Sequence, residues 1–127
     1  AYIEALRKRT ELLGKTAKII KTVKVGSTAD LENISEIDCE YLLLDAWSKE
    51  GEAAGGNGRT FEWSLIKALE KPFFLAGGLT VDNVQQAVRM TSPYGIDASS
   101  CMETEDCKDL NKMKAFAQAV RVNETYN

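Results

Sequence analysis

Two stretches decide how this chain folds: Pro72–Leu79, PFFLAGGL, and Gly95–Glu103, GIDASSCME. Each is a short apolar run that stops at small residues, Gly77-Gly78 in the first and Ser99-Ser100 in the second. Runs of this kind, bounded by turn residues, read as strands. Glycine opens backbone N–H groups to an anion with no Cβ in the way, and serine adds hydroxyl donors. Two such strand ends outline a phosphate site, although each by itself also reads as an ordinary βα turn.

Working outward, helix and strand patterns alternate. Tyr2–Leu13 has apolar residues at helical spacing, and Gly14 is a plausible stop. Ala17–Val25 is rich in β-branched residues and reads as a strand. The three-residue spacing of Leu31, Ile34 and Ile37 predicts a short helix over Thr28–Ile37. Tyr41–Asp45, YLLLD, fits a strand buried on both faces. Glycines and charges make Ala46–Thr60 a loop, and Glu62–Leu69 reads as a helix. Beyond the Phe73–Ala76 strand, Thr80 is expected to cap a helix over Val81–Met90 with apolar residues at 81, 84, 87, 88 and 90. An Ile96–Ser99 strand, a polar loop over Glu103–Asp109 and a helix over Leu110–Val122 complete the pattern. One helix followed by strand–helix units implies an α/β fold with a parallel sheet.

In such sheets, ligand-binding groups gather at the C-terminal strand ends. Here those ends hold Gly26-Ser27, Asp45, Gly77-Gly78 and Ser99-Ser100. Asp45 would lie at the mouth of the sheet, partly desolvated, either for general-acid work or as a turn aspartate. Asp97 falls inside the last strand, where an aspartate faces a ligand or an internal partner. Gly55–Gly58 lacks P-loop spacing and does not directly follow a strand. Of the lysines, Lys24 lies nearest a strand's C-terminal end.

Composition narrows the function. A net charge of −3 supplies no excess of cations for nucleic acid or an anionic membrane. Nothing approaches the length of a membrane-spanning apolar run, and the charged N-terminal stretch lacks a signal-peptide core. With no histidine and only Cys39, Cys101 and Cys107, a Cys/His metal site is not expected, and reduced thiols suit the cytoplasm. Proton transfer near neutral pH falls to carboxylates, thiols, lysines or tyrosine. The absence of an initiating Met and the mid-helix start suggest a fragment or processed product.

LLLD, GGNGRTFEWSLI, PFFLAGGLTVDNV and PYGIDASSCMET with KDLNKMKAF, in that order, resemble the phosphoribosylanthranilate isomerase family of tryptophan biosynthesis. The resemblance runs from about Tyr2 to Arg121, and the combination of GGxGxxFxW, LAGGL and IDxSS is what makes it specific. It implies a TIM (βα)8 barrel. Residues 1–127 would be a single partial domain, the C-terminal half-barrel with strands 5 to 8. The implied reaction is the Amadori rearrangement of N-(5-phosphoribosyl)anthranilate to 1-(2-carboxyphenylamino)-1-deoxyribulose 5-phosphate, with no cofactor and no metal. Asp45 matches the family's general acid, and Asp97 the aspartate facing the substrate. Gly77, Gly78, Ser99 and Ser100 match its phosphate loops, and Gly55–Gly58 the loop over the active site.

Two departures follow from the same resemblance. The family's general base, a cysteine ending strand 1, and its arginine for the anthranilate carboxylate belong to the N-terminal half. Cys101 stands where a glycine usually follows the two serines, so crowding of the phosphate or a shifted loop is expected; its position suits the phosphate rather than the reacting C2 carbon. Little or no turnover is therefore expected of these residues alone. The alternative is a non-catalytic phosphate-binding half-barrel that forms a homodimer or complements a separate N-terminal half-barrel. Another phosphate-binding barrel, such as a histidine-biosynthesis isomerase, fits GGxGxxFxW less well.

Overall fold

The computed structural model describes residues 1–46, 63–66 and 69–121. Most of the expected loop over Ala46–Thr60, including Gly55–Gly58, lies outside the described residues, as do parts of the expected helix over Glu62–Leu69 and the last position of the helix ending at Val122. Residues 63–65 are helical.

Four strands form one parallel sheet in sequence order: β1 (Ile20–Val25), β2 (Tyr41–Ala46), β3 (Phe73–Ala76) and β4 (Gly95–Ile96). One face is apolar and sealed over β2 and β3. Val25, Leu42, Leu44 and Leu75 are fully buried there, and Phe73 nearly so. They share a core with Trp63, Ile66, Val84, Ala87 and Phe116. The alternation of the pleat puts Thr22, Leu43 and Phe74 in register on the opposite face, where Leu43 and Phe74 are only half-buried. YLLLD is thus sealed on one face rather than two.

That second face carries an aromatic cluster near the N-terminal strand ends. Tyr41, Phe74 and Tyr94 have ring centroids 5.2–5.8 Å apart. Gly95 makes room for it, because a Cβ there would come within 2.8 Å of the Phe74 ring. β4 is shorter than the expected Ile96–Ser99. Even so, the Tyr94 N–H donates to the Phe73 carbonyl and the Asp97 N–H to the Leu75 carbonyl, extending the pairing with β3 by a residue at each end.

Helix α1 (Tyr2–Leu12) ends as its sequence suggests. Gly14 adopts φ +63°. The Gly14 and Lys15 N–H groups close onto the Glu11 and Thr10 carbonyls in a Schellman arrangement. No residue of α1 is buried; Arg7 ties it to the entrance of β2 through Asp38 (2.6 Å) and Glu40 (2.9 Å).

The expected helix over Thr28–Ile37 is instead two 3-10 turns, Thr28–Leu31 and Ile34–Glu36. Asn33, at φ 58°, adopts the left-handed conformation between them, which breaks an α-helix. Helix α2 covers Val84–Thr91, starting later than the expected Val81. Asn83 holds the preceding turn by accepting the Thr80 N–H (2.8 Å) and donating to the Gly78 carbonyl (3.0 Å). Val84, Ala87 and Thr91 then face the core, and Val81 and Met90 are exposed. The expected polar loop over Glu103–Asp109 contains a hairpin of β5 (Glu103–Thr104) and β6 (Cys107–Lys108). Its two turn residues, Glu105 and Asp106, both have positive φ, as a type I′ turn demands. Helix α3 (Leu110–Arg121) follows, with Phe116 in the core.

Candidate active site

At the C-terminal ends of the strands lies an open cavity of about 280 Å³. Asp45, Asp97, Gly77, Gly78, Ser99 and Ser100 all line it. Three consecutive strands bring them together: Asp45 lies one residue before the end of β2, the glycines follow β3, and Asp97 and the serines follow β4. Asp97 is exposed at the strand end rather than enclosed within a strand, since β4 stops at Ile96. Gly77 and Gly78 adopt φ +90° and +60°, conformations that a side chain disfavours. The glycine corner is therefore required by the chain's path here.

Thr22 and Leu43 also line the cavity, lower on the same face of β1 and β2. Neither stands out in the sequence, because Thr22 lies in a lysine-rich strand and Leu43 inside an apolar run. Lys24 is in register with Asp45 but is not a lining residue. Gly26 and Ser27, grouped by sequence with the other strand ends, serve a different purpose. Their N–H groups donate to Asp30 Oδ2 at 2.9 and 2.8 Å, and the Ser27 hydroxyl joins them at 3.1 Å. Those bonds hold the Asp30 carboxyl below its ordinary pKa and fill the anion nest internally.

Cys101 is half-buried and packs against the core cluster; it is not among the residues lining the cavity. Its side chain is thus turned toward the core rather than into the cavity. Burial pushes its thiol pKa up, against smaller downward pulls from its own backbone hydrogen bond and from Lys108. Cys39 is buried, Cys107 is exposed, and all three thiols are free. Among the described residues, no group of three or more His, Cys, Asp or Glu side chains converges to hold a metal ion. No helix among them is long and apolar enough to cross a membrane.

A family model described as N-(5'phosphoribosyl)anthranilate (PRA) isomerase matches residues 4–119. The N-(5'-phosphoribosyl)anthranilate isomerase of Acetivibrio thermocellus is 42% identical over 127 residues, covering 94% of this chain and 56% of that protein. Among solved structures, phosphoribosyl anthranilate isomerase from Thermococcus kodakaraensis is similar with a TM-score of 0.72 and 32% identity, over 93% of this chain and 58% of that one. A phosphoribosyl anthranilate isomerase in complex with reduced 1-(o-carboxyphenylamino)-1-deoxyribulose 5-phosphate gives a TM-score of 0.66 at 29% identity, over 94% and 55% of the two chains. The chain spans about half the length of the curated relatives it matches. The family-model match over residues 4–119, together with the parallel βα fold these solved structures share, shows that the chain belongs to the N-(5'-phosphoribosyl)anthranilate isomerase family.

Proposed function

We propose that this chain is the C-terminal half-barrel, strands 5 to 8, of an isomerase acting on N-(5'-phosphoribosyl)anthranilate in the cytoplasm. The observation that carries this reading is the convergence of Asp45, Asp97, Gly77, Gly78, Ser99 and Ser100 on one cavity in a member of that family. Asp45 is the general acid. It delivers a proton to the furanose ring oxygen as the C1–O bond breaks and the anilino nitrogen forms C=N. Loss of the C2 proton to a base gives an enolamine, which tautomerises to the 2-ketone. Gly77, Gly78, Ser99 and Ser100 hold the 5-phosphate through N–H and hydroxyl donors, and Asp97 meets the sugar or anthranilate side of the substrate.

The base and the remaining walls come from an N-terminal half-barrel, on the same polypeptide or another. The half-covered sheet face favours such a partner, or a second copy of this chain: Ile20 is 53% exposed and Tyr94 65%. Sedimentation should show self-association or capture of an N-terminal half; a strict monomer that captures none would contradict this.

The site itself is tested by titrating the protein with reduced 1-(o-carboxyphenylamino)-1-deoxyribulose 5-phosphate. Amide shifts should centre on Asp45, Gly77, Gly78, Ser99 and Ser100, and the dephosphorylated compound should bind at least ~10-fold more weakly. Equal binding of the two, or shifts confined to other surfaces, would overturn the reading.

A further inference from the structure

The cavity poses an electrostatic problem for the ligand just proposed. Among the described residues, its charged lining side chains are Asp45 and Asp97, both acidic, and no described lysine or arginine lines it. Helix α2 does not begin until Val84, six positions beyond Gly78, so its N-terminus is displaced from the glycine corner. A phosphate carrying close to two negative charges is held more tightly where a cation stands near its hydrogen-bond donors.

The β5–β6 hairpin supplies one. Lys108 lies opposite Glu103 in that hairpin, and the turn at Glu105-Asp106 folds the strand back toward the serine loop. Its Nζ donates to the Ser99 carbonyl at 3.2 Å, to Ser99 Oγ at 3.3 Å and to Glu103 Oε1 at 2.5 Å. An ammonium has three donors, so these contacts occupy all of them. The bond to Oγ has a directional consequence. Because Ser99 Oγ accepts from Lys108, its own O–H is left to donate elsewhere, and Ser99 lines the cavity. The hairpin is anchored in turn: Lys112 Nζ donates to the Glu103 carbonyl at 2.7 Å, and the Thr104 hydroxyl to Asp109 Oδ2 at 2.8 Å. Asp109 also accepts the N–H groups of Asn111 and Lys112 at the start of α3.

We infer that Lys108 is a positioning residue for phosphate: it orients the Ser99 hydroxyl as a donor and, shared with Glu103, sets an ammonium on the serine side of a cavity whose described lining carries no cation. This rests on the phosphate site proposed above. Lys108 acts through Ser99 and by its field, so its contribution is sensitive to salt and to charge, whereas a purely structural role is not.

The test is a titration of the folded protein with inorganic phosphate, read by phosphorus NMR. It compares the natural chain with Lys108→Met and Lys108→Arg. Lys108→Met should weaken phosphate binding roughly 5–20-fold at low ionic strength, and the gap should shrink severalfold in ~0.5 M salt. Lys108→Arg should recover most of the affinity. In the enzyme completed by its N-terminal half, Lys108→Met should raise KM by a similar factor and change kcat less than about twofold. If Lys108→Met binds phosphate as tightly as the natural chain, or if Lys108→Arg is as weak as Lys108→Met, the inference is overturned while the phosphate site stands. If the natural chain itself binds no phosphate, the site and this inference fall together.

Discussion

The two ends of the sheet are held together in different ways. At the N-terminal strand ends, side chains stitch segments far apart in sequence. Arg7 reaches Asp38 and Glu40 across 31 and 33 positions. Glu40 accepts the Ile19 N–H across 21. Lys71 donates to the Ile37 and Cys39 carbonyls across 34 and 32. At the C-terminal ends, the described loops after β1, β3 and β4 are each tied to themselves. Asp30 closes on Gly26 and Ser27 over four and three positions. Asn83 closes on Thr80 and Gly78 over three and five. Lys108 reaches Ser99 over nine. One end fixes how the units sit together, and at the other the described loops keep their own shape. Stability and chemistry should therefore be separable by mutation.

The largest expected effect tests the upper end. With the N-terminal half present, Asp45→Asn should lower turnover ~10²–10⁴-fold. Its cost in stability should stay within about 0.5 kcal/mol, checked by urea unfolding. A comparable loss of stability would erase the distinction between the ends. Next in size is a packing change at the lower end. Gly95→Val places a Cβ within 2.8 Å of the Phe74 ring. Overpacking of this kind should cost ~1–3 kcal/mol in the same unfolding measurement and disturb the aromatic cluster.

Lys71→Met should follow closely. It leaves the half-buried carbonyls of Ile37 and Cys39 without their donor. A loss of ~1–3 kcal/mol is expected, with phosphate affinity unchanged within about twofold. A matching loss of phosphate binding would show that the ends are coupled.

The smallest effect is one of pH. The Ile19 N–H, with a further contribution from Arg7, holds the Glu40 carboxyl below its ordinary value of 4.5. A carboxyl depressed in the folded state stabilises above the unfolded value, and that contribution disappears as pH falls through the folded one. The stability gap between the natural chain and Glu40→Gln should thus be widest above pH 4.5 and close on acidification. A gap that stays constant through the acid range would remove Glu40 from the lower network.

What sequence could reveal follows the same division. β2, β3 and the residues ending them were legible because Leu42, Leu44 and Leu75 leave no doubt about burial, and Asp45 and Gly77-Gly78 interrupt the apolar pattern. The spacing over Thr28–Ile37 is helical, yet Asn33 turns left-handed and splits the segment into two 3-10 turns. The β5–β6 hairpin was hidden because Glu105 and Asp106 occupy positions where glycine or asparagine usually announce the turn. With the hairpin unread, Lys108 was one charge in a polar stretch, and nothing in its spacing pointed back to Ser99. Asp97 drew notice as a strand residue, but the strand is only two residues long and the side chain stands at its exit.

The order of the strands also bears on how the chain assembles during synthesis. β2 pairs with β1, β3 with β2 and β4 with β3, all parallel. Each new strand emerging from the ribosome therefore finds its neighbour already made and waits for nothing downstream. Loop closure is limited to one βα unit at a time, which keeps its entropic cost modest. A nascent chain would grow its sheet edge by edge, always with the newest edge exposed. The aromatic cluster closes late in this sequence, because Tyr94 must arrive before it can meet Tyr41 and Phe74.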